Sequence, residues 1–328
     1  MRVLVLGGAG YVGSHFCRLA DSAGMAVRVY DNFSTGHHWA VDSFQVEQGD
    51  ILDTSRLARA MSDVDVVCHF AAKIVVSESV MYPMLYETNN VAGTASVLEA
   101  MSQRGVSALV FSSTAAVYGS PDPSTALIPE SCACQPINPY GVSKARAEQL
   151  IAEWAATGKG SAIAFRYFNA AGALPEHGLG EAHNPETHLI PNILRALISN
   201  DSKAFELFGD DYPTPDGTCI RDYIHVADIA DAHLLGVEHL LMSKSKNLQV
   251  CNLGSGIGYS NFEVIKACEV AHARTLQYRV LSRRIGDPAR LVASNERARQ
   301  LLGWQPKYSD LETIVGTALQ WHLRYDCV

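Results

Sequence analysis

The run Gly7-Gly8-Ala9-Gly10-Tyr11-Val12-Gly13 constrains this chain more than any other segment. It follows a short apolar stretch over residues 2–6 and precedes a helical pattern over residues 11–23, so it joins a buried strand to a helix. Glycines at this spacing let backbone N–H groups approach a pyrophosphate and let the helix pack close to the strand. The helix N-terminus then faces the anion. A glycine triplet alone is equally compatible with a plain turn; its place in the first βαβ unit is what points to a dinucleotide.

The rest of the N-terminal half repeats the same rhythm. Strand patterns cover residues 26–30, 44–46, 64–70, 108–112 and 161–166, with helical patterns at 54–61, 83–104 and 139–157 between them. Strands alternating with helices predict an α/β fold, a Rossmann-type doubly wound parallel sheet with helices on both faces. After Arg166 the rhythm loosens. Residues 169–187 form a Gly-, Pro-, Asn- and His-rich loop, followed by a helix at 188–199, a strand at 205–208 and a turn-rich loop at 210–217. A helix at 225–241, a strand at 249–253 and a helix at 259–273 follow, the last behind the turn Gly254–Gly258. The expected division is an NAD-binding domain over 1–167 and a smaller substrate-binding lobe over 168–328, with 225–253 returning to the main sheet.

Asp31 ends the second strand, where a carboxylate accepts from adenosine ribose hydroxyls and repels a 2′-phosphate. Asn32 and Phe33 follow it rather than Arg or Lys, which favours NAD over NADP. Asp50-Ile51 follows the third strand and suits either an adenine contact or a simple turn. Asn138-Pro139-Tyr140-Gly141-Val142-Ser143-Lys144 is the most informative segment: Asn138 suits an N-cap, Pro139 the first helical position, and Tyr140 and Lys144 fall one turn apart on one face. A phenol of pKa ~10 must fall by about 3 units, ~4 kcal/mol, to act as a base near neutrality. One cation at ~4 Å supplies up to ~4 kcal/mol at an effective dielectric of ~20. Thr114, at the end of the strand that begins near Ala108, lies where ligands bind a parallel sheet.

Lys and Arg number 26 against 34 Asp and Glu, for a net charge of −8. That balance argues against nucleic acid or an anionic membrane as partner. No stretch approaches the ~18 apolar residues of a membrane span, and the first apolar run is too short for a secretory signal. The eight Cys are scattered, with only Cys132 and Cys134 close, and the twelve His include no H-E-x-x-H. Free buried thiols, no metal and a cytoplasmic location are expected.

At the level of whole motifs, the chain resembles the extended short-chain dehydrogenase/reductases, and within them the family that epimerises UDP-sugars at C4. The matching segments are GGAGYVGSH, DNFSTGHH, HFAAKIVVSESV, NNVAGT, FSSTAAVYG, NPYGVSK, RYFNAAGA, ETHLIP, FGDDYPTPDGTCIRDYIHV and RRIGDPARLVAS, spread from about Val3 to Trp304. The resemblance implies a transient oxidation of the sugar at C4 by tightly held NAD. Tyr140 would act as base, Lys144 would lower its pKa, and Thr114 would hold the same hydroxyl. It implies cofactor contacts from Gly7, Gly10, Tyr11, Val12, Gly13, Asp31, Asn32, Asp50, Ile51, Phe70, Ala71, Asn90, Tyr140 and Lys144. Nucleotide-sugar contacts would come from Thr114, Asn169, His188, Leu189, Phe208, Arg221, Arg284 and Asp287. Two Arg suit a diphosphate, although Arg221-Asp222 taken alone could be an ion pair and His188 a polar helix start. A homodimer through the helices at 83–104 and 139–157 is also implied.

Two places depart from the family pattern: Lys73 sits one residue before the place of a cofactor-contacting Lys, at Ile74, and Leu291 holds a position that gates the sugar 2-substituent. Sugar 4,6-dehydratases share the fold but need an acid–base pair directly after the Thr, where this chain has Ala115 and Ala116. Epimerisation of another UDP-sugar (xylose/arabinose or N-acetylhexosamine) and a non-catalytic NAD-sensing regulator stay open as alternatives; the latter usually lacks the Tyr–Lys pair.

Overall fold

A computed structural model describes residues 1–122, 125–199, 204–243, 245–284 and 287–325. In chain order the first half holds β1 (Arg2–Leu6), α1 (Tyr11–Ser22), β2 (Ala26–Asp31), β3 (Gln45–Gln48), α2 (Thr54–Ala60) and β4 (Val66–His69). Next come α3 (Val76–Met81), α4 (Pro83–Tyr86), a π-helical turn at Glu87–Ala92, α5 (Gly93–Arg104), β5 (Ala108–Thr114), α6 (Pro139–Ala156) and β6 (Ser161–Tyr167). The second half holds β7 (Asn169–Ala171), α7 (Leu189–Ile198), β8 (Phe205–Phe208), β9 (Ile220–His225), α8 (Val226–Met242) and β10 (Leu248–Leu253). It closes with β11 (Gly258–Ser260), α9 (Asn261–His272), β12 (Tyr278–Leu281), β13 (Arg290–Leu291), α10 (Glu296–Leu302) and α11 (Leu311–Tyr325).

Seven parallel strands form the main sheet in the order β3-β2-β1-β4-β5-β6-β10. Alternate residues of its strands feed two cores. Val3, Val5 and Val29 face one side with Phe16 and Phe165, whereas Leu4, Leu6 and Tyr30 face the other with Leu57 and Met101. Every residue of β4 and β6 is buried, as a sheet covered on both faces requires. Strand order reverses between β1 and β4, and a crevice opens there beyond the carboxyl ends of the strands.

A third core joins α7, α9 and α11 through Ile193, Leu194, Val264, Ile265, Ile314 and Val315. This lobe contacts the main sheet's edge through an aromatic seam. Trp39, just after β2, lies 5.4 Å from Trp321 of α11, and Trp321 stacks on Tyr325 at 3.8 Å. Gly180 is bare because a Cβ there would sit 2.3 Å from the Trp321 ring.

Two sequence expectations need correction, and one element appears where the sequence reading assigned none. The helix over 83–104 is interrupted by the π turn, the loop over 169–187 opens with β7, and residues 220–225 form a strand, β9. Strand β9 escapes a pattern of alternating polarity because all six of its residues are buried, Arg221 and Asp222 included. Asp222 is held by N–H groups of Ser255, Gly256 and Ala293 at 2.7–3.0 Å.

Neutral imidazoles are built into the cores. His233 Nδ1 donates to Ile229 O at 2.9 Å, so Nε2 accepts from the Tyr167 hydroxyl at 2.5 Å. Burial pushes His233 and His69 down to about 3. The unfolded chain binds these protons near pH ~6.5 and the folded chain does not, so stability is complete above that pH and falls as pH drops toward the folded values. His233→Asn should flatten the stability–pH curve between pH 4 and 6 by up to ~1.4 kcal/mol per pH unit. Urea unfolding at stepped pH measures this; parallel curves for the variant and the wild type would show that His233 does not titrate as described.

Candidate active site

The glycine loop runs from the end of β1 to the start of α1, and its glycines serve different ends. A Cβ on Gly13 would lie 2.2 Å from Gly7 O, and one on Gly7 would lie 2.5 Å from Ala71 N, at a φ of +75°. Those two are required by the protein's own packing. Gly10 is different: a Cβ there would meet only Gly7 O, at 3.4 Å. It caps α1 with no side-chain hydrogen bond, and the first turn of α1 carries no acidic residue. The helix therefore presents its first N–H groups bare, as an anion requires. This cradle fits the pyrophosphate of a dinucleotide.

Asp31 braces the loop. Its carboxylate accepts from Ala9 N at 2.9 Å and Phe33 N at 2.8 Å, while burial pushes its pKa up against those bonds. Asn32 donates to the Asp50 carboxylate at 2.9 Å, so these two form one rim, and Ile51 packs beneath Gly93. Phe70 N and Ala71 N donate to Leu6 O, which seats that segment across the crevice from Gly7. Asn90 is committed to the protein: it accepts from Lys73 N at 2.9 Å and donates to Lys73 O at 3.0 Å and to Ser143 Oγ at 2.9 Å. It fixes the segment after β4 against α6.

Helix α6 begins as its sequence requires, with Gly141 N donating to the Asn138 side chain at 2.8 Å and Pro139 in the first position. Tyr140 is half-buried, with its ring edge-on to Tyr86 and its hydroxyl on the side of Thr114. Lys144 is buried; Nζ donates to Ser112 O at 2.8 Å and lies 4.9 Å from the Phe111 ring centroid. Burial lowers Lys144 to about 7 although Glu148 raises it. Burial also raises Tyr140, and the Thr114 hydroxyl is the group that opposes this. The pair thus falls one turn apart on α6, with burial raising the phenol and the Thr114 hydroxyl opposing that rise.

Strand β5 places Thr114 beside Tyr167, its register partner on β6, two residues before Asn169. Asn169 lines a cavity of about 560 Å³ that also gathers His188, Leu189, Phe208, Arg221, Arg284 and Asp287. These seven residues come from five separate stretches of the chain. Arg284 lies over the Phe208 ring at 4.2 Å, and Arg221 bonds Asp287 and donates to Pro288 O at 2.7 Å. Leu291 packs outside that lining, with Ala115, Phe168 and Ala293. Lys73 contributes its backbone to Asn90, while Ile74 is exposed.

His188 turns its Nδ1 to Glu181 at 2.8 Å and to Glu186 at 2.9 Å. Burial would lower this imidazole, but the two carboxylates raise it to about 10. Sequence reasoning passes over Glu181 and Glu186. Their signal is the spacing E-x-H-x-x-E-x-H over 181–188, which is not the helical H-E-x-x-H pattern.

A dinucleotide cradle at the sheet's switch point, with Thr114 ending β5 and Tyr140 and Lys144 on α6 toward a cavity with two Arg, is the arrangement of a nucleotide-dependent enzyme of the extended short-chain type. The chain belongs to the NAD dependent epimerase/dehydratase family, matched over residues 3–254. It is 46% identical over 326 residues to a UDP-glucose 4-epimerase of Lactobacillus helveticus, covering 98% of this chain and 97% of that one. The UDP-glucose 4-epimerase of Brucella ovis in complex with NAD is 45% identical, with a TM-score of 0.92 over 97% of each chain. The enzyme of Bifidobacterium longum in complex with NAD⁺ and UDP is 34% identical, with a TM-score of 0.91 over 99% of each chain.

The two kinds of glycine separate experimentally. Gly13→Ala should lower both thermal stability and bound NAD, because backbone must shift. Gly10→Ala should leave the melting temperature within a few degrees of wild type yet reduce NAD occupancy severalfold. Full NAD occupancy in Gly10→Ala would show that this glycine does not face the cofactor.

Proposed function

We propose that this chain interconverts UDP-glucose and UDP-galactose by inverting the sugar at C4. The observation that carries this is the Tyr140–Thr114 pair at the end of β5, adjacent to the cavity that holds Arg221 and Arg284. When bound, NAD supplies a reversible oxidant for C4 and a positively charged ring. The glycine loop with the first turn of α1 would hold its pyrophosphate. Asp31 would hold the adenosine ribose, and Asn32, Asp50 and Ile51 would form the rim at the adenine. Phe70, Ala71 and Asn90 would bound the nicotinamide side, with Tyr140 and Lys144 across from them.

Tyr140 would take the proton of the C4 hydroxyl and return one from the other side of the cycle. As folded, the phenol keeps its proton; a cation beside it would bring it within reach of neutrality. Thr114 would orient the same hydroxyl. Arg221 and Arg284 would bind the diphosphate, Phe208 and Asp287 the uridine, and Asn169, His188 and Leu189 the cavity wall around the sugar. Buried Ala115 and the neighbouring Ala116 offer neither acid nor base beside Thr114, so no elimination of water is supported there.

A homodimer belongs to the same proposal. Val80, Met81, Tyr82 and Met84 are more than half exposed, and Val142 of α6 is 40% exposed near them. No helix among the described residues is long and apolar enough to cross a membrane. The free state of every described cysteine supports a cytoplasmic setting.

Freshly purified protein should carry NAD and interconvert the two UDP-sugars with none added, without accumulating reduced cofactor. Steady, stoichiometric reduction of NAD would overturn the epimerase reading and mark a dehydrogenase. Tyr140→Phe keeps the ring and loses the proton acceptor. Activity should fall by ~10²–10⁴-fold with NAD still bound, and a variant within twofold of wild type would remove Tyr140 from the role of base.

A further inference from the structure

The loop leading into α7 carries a side-chain cluster of which only His188 has a place in the proposed epimerisation. Glu181, His183, Glu186 and His188 each direct one ligand atom to a common point, all within 4.8 Å of one another. Both carboxylates are deeply buried: Glu181 is 5% exposed, and the Glu186 side chain is 2% exposed. Glu186 Oε1 accepts from Thr187 N, His188 N and His188 Nδ1. Its other oxygen, Oε2, is buried with no hydrogen-bond partner and faces His183 Nδ1 at 3.9 Å. A carboxylate oxygen withdrawn from water with no donor is costly, and a cation at this point would remove the cost.

The spacings fit a small ion. His183 Nδ1 and His188 Nδ1 lie 3.1 and 2.8 Å from Glu181 Oε1. Zinc bonds of about 2.0–2.2 Å to N and O in a tetrahedron place ligand atoms roughly 3.3–3.5 Å apart. The observed separations run from 2.8 to as much as 4.8 Å, on either side of that edge. Two imidazoles with two carboxylates suit a zinc-class metal, whereas Mg²⁺ and Ca²⁺ prefer shells of oxygen.

We propose that Glu181, His183, Glu186 and His188 form a structural binding site for one Zn²⁺-class ion. Four protein ligands leave no open coordination position, so the ion holds structure rather than substrate. What it would hold is a junction. Trp321 Nε1 of α11 donates to Glu181 O at 3.2 Å, and His37 Nε2 meets Ala182 O at 2.8 Å. His183 lies edge-on to Tyr11 of α1 at 6.1 Å, and His188 caps α7. One ion would therefore fasten the cofactor loop's helix, α11 and one wall of the substrate cavity together.

The test uses the full chain, stripped with chelator and shown folded by circular dichroism. It is titrated with Zn²⁺, and with Co²⁺ followed by visible absorption, with metal content measured by mass spectrometry. One ion per chain is expected. His183→Ala and Glu186→Gln should each weaken binding at least ~tenfold, as loss of even an outer partner does, while Cys132→Ser/Cys134→Ser leaves it unchanged. Zn²⁺ should raise the melting temperature of the wild type and not of His183→Ala. If Glu186→Gln fails to fold, the partly exposed His183 decides. No uptake by folded wild type would overturn the site, as would equal affinity in both variants or uptake lost only with the two Cys. These outcomes are read without UDP-sugar, so they stand apart from any failure of the epimerase reading.

Discussion

The structure hangs on one close approach, that of the Gly7 backbone to the amide of Ala71. Strands β1 and β4 are neighbours, yet the chain turns toward opposite sides of the sheet as it leaves them. Loops leaving in opposite directions open a crevice. Contact between bare backbones keeps that crevice narrow enough for two loops to reach one ligand. A methyl group on Gly7 or Gly13 would force it open, since both touch main chain rather than side chains that might swing away. Asp31 then ties the loop to β2 through Ala9 N.

Burial sets the chemistry on the other side of the crevice. The sheet excludes water from Lys144 and much of Tyr140, and each is pushed toward its neutral form. Compensated charge is held further out: Glu148 with Arg166 at 2.6 Å, and Arg221 with Asp287. A site arranged this way gains its working charge from what binds. That suits a reaction in which a proton and an electron pair leave the sugar and later return.

Much of this was legible before any coordinates, because it rests on local rules. The glycine spacing, the Asn138-Pro139 helix start and the four-residue step from Tyr140 to Lys144 each depend on neighbours in sequence. What was not legible depends on partners far away. Strand β9 looks too polar to be buried until Asp222 meets the amides of Ser255, Gly256 and Ala293. The π turn has no periodic signature; it brings Asn90 round to Lys73 and Ser143. Glu181, His183, Glu186 and His188 recur at steps of two, three and two, which match neither a helix nor a strand, and only the loop's path brings them together.

The aromatic seam between α11 and the segment between β2 and β3 has an optical consequence. Trp39 and Trp321 come from opposite sides of the junction, and their rings lie 5.4 Å apart at an angle of 33°. Indoles so close and so oriented couple their electronic transitions. The junction therefore carries its own chromophore pair, whose near-ultraviolet dichroism reports the docking of α11 on the segment between β2 and β3 without any attached label.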